Sequence, residues 1–379
     1  MLGFSWLIAL SPVTLLLASC SAAQSGESKI ALAALPFTAT EMARFDEPWA
    51  MAFLPGTPYA LITQRGGKLK LWRQDEQAVD VLGVPPVDYA GQGGLGDVAP
   101  APDFAASGTI YLSYAEAGQG NTRGAAVARA KLDLQNPVPR LSDLTVIWRQ
   151  FPKVSGNGHY SHRITFSPDG KFLFIASGER QKFTPAQDSA QNLGKVIRLL
   201  ADGTPAPGNP FAATTGVSAQ IWTLGHRNIL GLKFDAQGRL WDLEHGPAGG
   251  DELNLVKPGQ NYGWPIVSNG DHYDGKPIPR HATRPDFAAP AISWNPVIAP
   301  GDFIFYSGVM FPSWRGQAII AALGSGGLVR VGIEGEKARE LERIPLGNRI
   351  REITEAKDGA IWVLEDGANA RLVRLSAEN

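Results

Sequence analysis

Short apolar runs alternate with turn-forming residues along most of the chain, and one pairing of them recurs six times. Met51–Leu54 passes Pro55-Gly56 into Tyr59–Thr63, and Asp97–Phe104 passes Gly108 into Thr109–Tyr114. Ile164–Phe166 passes Ser167–Gly170 into Phe172–Ser177, and Leu232–Phe234 passes Gly238 into Leu240–Leu243. Phe311–Gly316 leads into Ala318–Ala322, and Ile353–Gly359 into Ile361–Leu364. Asp-Gly and related turns between alternating apolar runs predict hairpins, because glycine takes the positive φ that such turns need. Sustained helical periodicity is hard to find, so the chain reads as all-β. Six units spaced roughly 45–80 residues apart predict a six-bladed β-propeller with four-stranded antiparallel blades. A β-sandwich, with shorter and more even strand spacing, is the weaker reading. No linker interrupts the series, so residues 39–379 are expected to form a single domain.

The N-terminus follows another pattern. Trp6–Ala18 is one apolar run, too short to span a bilayer comfortably, and it ends at Leu17-Ala18-Ser19-Cys20. Small residues before the only cysteine resemble a bacterial lipoprotein signal over residues 1–20, in which Cys20 is lipidated and becomes the mature N-terminus. An ordinary secretory signal with an incidental cysteine is the alternative, since no Lys or Arg precedes the run. Both readings imply export, and a lipid on Cys20 implies anchoring on the periplasmic side. Residues 21–38 read as a flexible tether. A single cysteine excludes an internal disulfide and a cysteine-built metal site. The formal charge is −1, with 35 Lys and Arg scattered rather than striped, which argues against nucleic acid as a partner.

A propeller gathers its loops around a central funnel, so unusual polar residues at matching loop positions are the candidates for chemistry. Gln92 lies among glycines in Asp88–Gly96, where backbone can approach a ligand closely. Gly156–Arg163 holds His159, His162 and Arg163 at a strand entrance, and a histidine there can act as a base near neutral pH. Chemistry alone leaves His159 and His162 open as that base. The polar front of Ala186–Arg198 reads as blade-closing hydrogen bonding. Arg349 and Arg351, two apart on a strand, point the same way, which is costly unless an anion sits between them. The richest stretch is Gly225–Pro265. It has a polar turn Gly225–Asn228, a hairpin, a Gly/Pro-rich loop His245–Gly250, and the acidic pair Asp251-Glu252. Free carbonyls beside carboxylates, with no cysteine, suit a hard cation such as calcium better than zinc.

Those stretches together resemble the glucose/sorbosone dehydrogenase family, over about Phe45 to Leu375. The marks are Glu47–Pro55, Gly91–Leu95 with Pro102–Phe104, and Phe166–Gly170. They continue with Gly225–Asn228, Glu244–Pro247, Gly250–Asn254, Asn261–Pro265 and Arg349–Arg351, and the ordered run GHRN, EHGP, DELN, NYGWP is the most specific. The resemblance implies a six-bladed propeller that oxidises aldose sugars with pyrroloquinoline quinone (PQQ) and calcium. An external electron acceptor, a quinone or a cytochrome-like protein, would complete the cycle. It implies His159 as catalytic base. Gln92, Arg227, Asn228, Arg349 and Arg351 would contact quinone and substrate, and the Gly246 and Pro247 carbonyls would hold the active-site calcium. Glu252 and Tyr262 match residues near further structural calcium. PQQ is a flat tricarboxylate, so arginine forks suit it. The chain departs from the family in His162, in Ala248, and in the absence of a lysine from Leu323–Leu328. Two other classes fit the motifs less completely: a calcium-dependent propeller lactonase, and a non-catalytic surface-tethered binding propeller.

Overall fold

The computed structural model describes residues 37–308 and 310–377, which form six four-stranded antiparallel sheets. The innermost strands are Pro48–Phe53, Leu95–Pro100, Ser161–Phe166, Ile229–Phe234, Pro300–Phe305 and Ile350–Glu355. Each touches the next, and the last touches the first, so the sheets close into the expected six-bladed ring. All six junctions read from the sequence lie between the first and second strands of a blade, but in blade five the first strand is Pro300–Phe305, and the run Phe311–Gly316 is a loop with a 3-10 turn at Pro312–Trp314. The core lies between the sheets. Leu61, Leu71 and Leu112 fill one gap, Trp241, Phe303 and Ile320 another, and Ile62, Trp72 and Trp362 a third.

The N-terminal strand closes the ring. Thr38–Phe45 pairs with Ala370–Ser376 from Thr38↔Ser376 to Phe45↔Ala370, and so supplies the outermost strand of blade six. Phe37 is buried edge-on against Phe311 and Trp314. The propeller therefore takes in Phe37 and Thr38, which the sequence pattern assigns to the tether. The readings of residues 1–20 as a signal, of Cys20 as a lipid site, and of a tether up to residue 36 lie outside the described residues. Among the described residues no helix is long and apolar enough to cross a membrane.

One long excursion leaves the regular blade pattern. Between the third and fourth strands of blade four, residues 256–291 climb along the edge of blade three. The Leu224 amide donates to Gln260 (3.2 Å), Tyr262 donates to Leu224 (2.9 Å), and Trp264 donates to Gly225 (2.9 Å). Ala248 and Asp271 then exchange backbone bonds of 2.9 and 3.1 Å, which ties the excursion to the Gly/Pro-rich loop.

At the axis of the ring Arg163 is fully buried. Its Nη1 lies 2.7 Å from Glu352 Oε2 and 3.6 Å from both Asp97 and Asp302, while Lys233 reaches Asp302 at 2.9 Å. Its Nε and Nη2 donate to the Leu230 and Gly301 carbonyls. Arg163 therefore belongs to a buried charge network, although the sequence groups it with the two funnel histidines.

Candidate active site

In each blade the first strand starts, and the second ends, on the same face of the ring, because hairpin partners run antiparallel. Side chains at those positions converge. Gln92, His159, Asn228 and Arg349 stand at the entrances to innermost strands. Arg65, Glu179, His245, Leu323 and Asp366 each directly follow, or nearly follow, a second strand. They line two cavities. One, of about 370 Å³, is bordered by His159, Glu179, Arg227, Pro247, Trp264 and Tyr273. The other, of about 280 Å³, is bordered by Gln92, Asn228, Arg65, Arg349, Arg351 and His162.

His159 and Glu179 make the most specific contact. The imidazole Nδ1 bonds directly to Glu179 Oε1, and both side chains are buried. Glu179 also accepts from the amides of Gln181 (3.0 Å) and Phe183 (2.6 Å), which fixes the carboxylate. Gly178 allows the approach, since a Cβ there would sit 2.0 Å from the His159 carbonyl oxygen. Burial lowers the His159 pKa below its ordinary value, against the hydrogen bond to Glu179, which raises it. Burial by itself raises Glu179, but the bond to His159 and the further donors bring it below the usual carboxylate value. The ionised carboxylate thus takes Nδ1–H and leaves Nε2 of a neutral ring as a free acceptor. Gln92 Oε1 accepts the His159 amide at 2.7 Å and positions the residue from the other cavity. His159, Ser161 and His162, with Arg180, Gln181 and Phe183 facing them, all have φ between 50° and 78°. Strained backbone of this kind persists where surrounding structure over-determines it, and it clusters at functional sites.

His162 is built differently. It stacks on Tyr160 at 5.3 Å and meets Trp49 edge-on at 5.7 Å. Neither ring nitrogen has a hydrogen-bond partner among the described residues, and burial draws its pKa down to about 3. It is a packed neutral ring with no carboxylate to orient it, so the geometry of a base is present at His159 alone of the two.

The arginine pair has its anion, and the protein provides it. Asp366 lies between the two, 2.9 Å from Arg349 Nε and 2.9 Å from Arg351 Nη2. Burial raises Asp366, but Arg351 and Arg349 hold it below the usual carboxylate range. Two guanidiniums and one carboxylate leave a net positive charge at the cavity, and Arg65 adds another cation, held by the Gly91 carbonyl and by Glu47. Arg227 is anchored by its amide to Glu244 Oε2 (2.6 Å) and by Nη1 to the His245 carbonyl (3.0 Å). Its Nη2 reaches Tyr273, its guanidinium lies 5.1 Å over the Trp264 ring, and its buried Nε has no partner among the described residues. Asn228 Oδ1 accepts the Ser161 amide at 3.2 Å, which joins blades three and four beside the cavity.

The Gly/Pro-rich loop is held open by Asp251. Its Oδ1 accepts the Gly246 amide (2.9 Å) and its Oδ2 the amides of Ile298 (2.9 Å) and Ala299 (2.7 Å); burial pushes this carboxyl up to about 6. The carbonyls of Gly246 and Pro247 accept no hydrogen bond among the described residues. A Cβ at Gly246 would lie 2.2 Å from the Gly249 oxygen, so the turn requires glycine. Asp251 and Glu252, read as a pair, do not converge: neighbours on a strand point to opposite faces. Glu252 turns to His281 Nε2 at 3.4 Å, while Tyr262 stacks on His226 and donates to the Leu255 carbonyl. Both nevertheless border one small cavity with Gly246 and Pro247.

The structure thus gathers His159, Gln92, Arg227, Asn228, Arg349, Arg351, Gly246 and Pro247 on one face. Sequence reasoning did not single out Glu179, Arg65, Asp366, Trp264 or Tyr273. A signal was available for three of them. Arg65, Glu179 and Asp366 stand at the same place in their respective units, at the end of the second strand, where the polar run begins.

Residues 45–374 match the family described as Glucose / Sorbosone dehydrogenase. The chain is 38% identical over 345 residues to the Aldose sugar dehydrogenase YliI of Escherichia coli, covering 89% of this chain and 91% of that one. The solved apo-form of the soluble aldose sugar dehydrogenase from E. coli superposes with a TM-score of 0.84 at 36% identity, covering 90% of this chain and all of that one. The PQQ-bound form of an aldose sugar dehydrogenase from Streptomyces coelicolor superposes with a TM-score of 0.74 at 26% identity, covering 90% and 98%.

Proposed function

The chain belongs to the glucose/sorbosone dehydrogenase family, and from that premise we propose that it oxidises aldose sugars at the anomeric carbon to lactones, using PQQ and calcium. The observation that carries this reading is the His159–Glu179 pair set beside a guanidinium-lined cavity. The donor set fits the cofactor. Arg65, Arg349 and Arg351 present forks suited to its carboxylates, with Gln92 and Asn228 as neutral partners. The unbonded Gly246 and Pro247 carbonyls suit a hard cation. Glu252 and Tyr262 are assigned to a further, structural calcium. When bound, the quinone accepts hydride and the calcium acts on it as a Lewis acid.

The chain's own residues do the rest. His159 Nε2 takes the proton from the anomeric hydroxyl as the C1 hydride departs, and C1 becomes the lactone carbonyl. Glu179 keeps the proton on Nδ1 and stabilises the imidazolium that forms. Arg227, fixed at both ends and facing the same cavity as His159, orients the sugar oxygens. The electrons pass to an external quinone or cytochrome-like acceptor. Export, with Cys20 lipid-anchored on the periplasmic side, belongs to the same proposal and rests on Trp6–Cys20. The lactonase alternative needs deep carboxylates free for calcium, whereas Asp97, Asp302 and Glu352 at the axis are engaged by Arg163 and Lys233.

The test is to treat the protein with EDTA, add PQQ and calcium separately and together, and follow aldose-dependent reduction of a dye. Reduction that needs both additions is expected. No PQQ binding and no reduction across a sugar panel would leave the binding propeller as the better reading.

A further inference from the structure

Behind the turn that carries Arg227 and Asn228 lies a polar cluster that the proposed chemistry does not use. His226 comes from the turn itself. Asp242 and Glu244, two apart on the second strand of blade four, share a face, and Asn254 stands opposite Asp242 on the third strand. Asp242, His226 and Asn254 are fully buried and Glu244 is 4% exposed. His226 Nδ1 lies 3.2 Å from Glu244 Oε1 and 3.4 Å from Asp242 Oδ2. Asn254 Nδ2 lies 3.1 Å from Asp242 Oδ1 and 3.2 Å from Glu244 Oε1. Asp242 Oδ2 and Asn254 Oδ1 have no hydrogen-bond partner among the described residues. No Lys or Arg side chain among the described residues forms an ion pair with Asp242 or Glu244; the basic side chain beside them is the imidazole of His226.

We propose that His226, Asp242, Glu244 and Asn254 form a structural site for one divalent metal ion, zinc or manganese. Two carboxylates buried beside one imidazole carry negative charge that a dry interior disfavours unless a cation or a proton offsets it. The spacing is also compatible with ligands: donors about 2.0–2.2 Å from one ion at tetrahedral angles stand about 3.3–3.6 Å apart, close to the 3.2 Å from His226 Nδ1 to Glu244, which also fits a hydrogen bond, and the 3.4 Å to Asp242. The histidine is also set up as a ligand. Thr223 Oγ1 lies 2.9 Å from its Nε2 and can take an N–H there, and in that tautomer the Nδ1 lone pair faces the two carboxylates. Turning the Asn254 amide over puts its orphaned Oδ1 among them as the fourth donor. Imidazole with carboxylates and an amide oxygen selects zinc or manganese over calcium. The site is closed and so holds structure rather than substrate. It would bind the Gly225–Asn228 turn to blade four, since Glu244 also accepts the Arg227 amide. The expected calcium near Glu252 is a neighbouring site, since Glu252 stands opposite Glu244 on the third strand while its carboxylate faces His281.

The experiment uses tag-free full-length protein and elemental analysis. One equivalent of zinc or manganese should survive dialysis of the folded protein against EDTA, which strips exposed ions such as one on the Gly246 and Pro247 carbonyls. Unfolding in guanidinium with EDTA should release it, and refolding with zinc should restore it. At a hundredfold excess of free zinc over Kd, Tm should rise by about 5 °C over protein refolded in EDTA. Asp242→Asn, isosteric but uncharged, should retain no metal after the same cycle and show no zinc-dependent Tm shift. A wild-type protein that retains no metal, or that retains calcium alone, overturns the proposal, and so does undiminished retention by folded Asp242→Asn. The wild-type cycle decides the matter even if the variant does not refold.

Discussion

Replacing Glu179 by Gln tests the catalytic reading at one atom. In the native site Oε1 takes His159 Nδ1–H and the Gln181 amide, while Oε2 takes the Phe183 amide at 2.6 Å. A glutamine has one acceptor oxygen for these two places. If its oxygen stays toward His159, its NH2 faces the Phe183 N–H, and the clash of donors costs about 1–3 kcal/mol in the loop that shapes the cavity. If the amide turns over, its NH2 donates to Nδ1, the ring proton moves to Nε2, and the base can no longer accept. Loss of a positioned general base is worth about 10²–10⁴ in rate. With part of the population keeping the native tautomer, kcat should fall about 10²–10³-fold, or about 3–4 kcal/mol, with KM changed little. The pH dependence adds a second readout. Burial lowers the His159 pKa and the Glu179 carboxylate raises it, so removing the carboxylate lowers it further. The base must be neutral, so activity is lost as pH falls through this pKa, and the acid limb of kcat should move to lower pH in Glu179→Gln. The assay is dye-coupled turnover of enzyme reconstituted with PQQ and calcium, from pH 4 to 9. An unchanged kcat, or an acid limb displaced upward, would refute the assignment of Glu179 as the partner of the base.

Other consequences are as direct. His162→Phe should keep kcat within a few-fold, because the ring is neutral, unpartnered among the described residues and packed between Tyr160 and Trp49; a variant that binds PQQ but does not turn over would return His162 to the chemistry, while His159→Ala should abolish turnover. Arg351→Ala should weaken PQQ binding by about 10–100-fold, in line with a lost charged hydrogen bond, and by more than Arg349→Ala. The Arg349 side chain is 57% exposed against 14% for Arg351, and titration of quinone fluorescence would reveal the reverse order if it held. A chain begun at Pro36 should melt like the full mature protein, whereas one begun at Asp46 lacks the outer strand of blade six and should lose at least several degrees of Tm; equal melting curves would mean the ring does not need that strand.

Much of the fold was legible because its causes are local. Strand alternation and turn glycines are written within a few residues of each other, so Ile164–Ser177 reads as a hairpin without any tertiary knowledge. Six such hairpins and no linker left few architectures other than a propeller. The blade to which Thr38–Phe45 belongs was not legible: it pairs with Ala370–Ser376 at the far end of the chain, and an alternating strand does not announce its partner. Phe37 and Thr38 were accordingly assigned to the tether.

The sequence alone determined which residue types crowd into which loops. Arg349 and Arg351 on one strand face, the glycines around Gln92, and the ordered motifs from Gly225 to Pro265 are all local, and they named most of the candidate site. Only the tertiary structure decided which partner each group has. Glu179 is separated from His159 by two strands and the turn between them, Asp366 closes on two arginines from a neighbouring loop, and Asp251 spends its carboxylate on amides from three residues. The physical reason is one of range. Hairpins depend on torsions and hydrogen bonds between near neighbours, whereas the pKa, tautomer and charge balance of a site depend on groups within a few ångströms in space, and only closure of the ring brings those together.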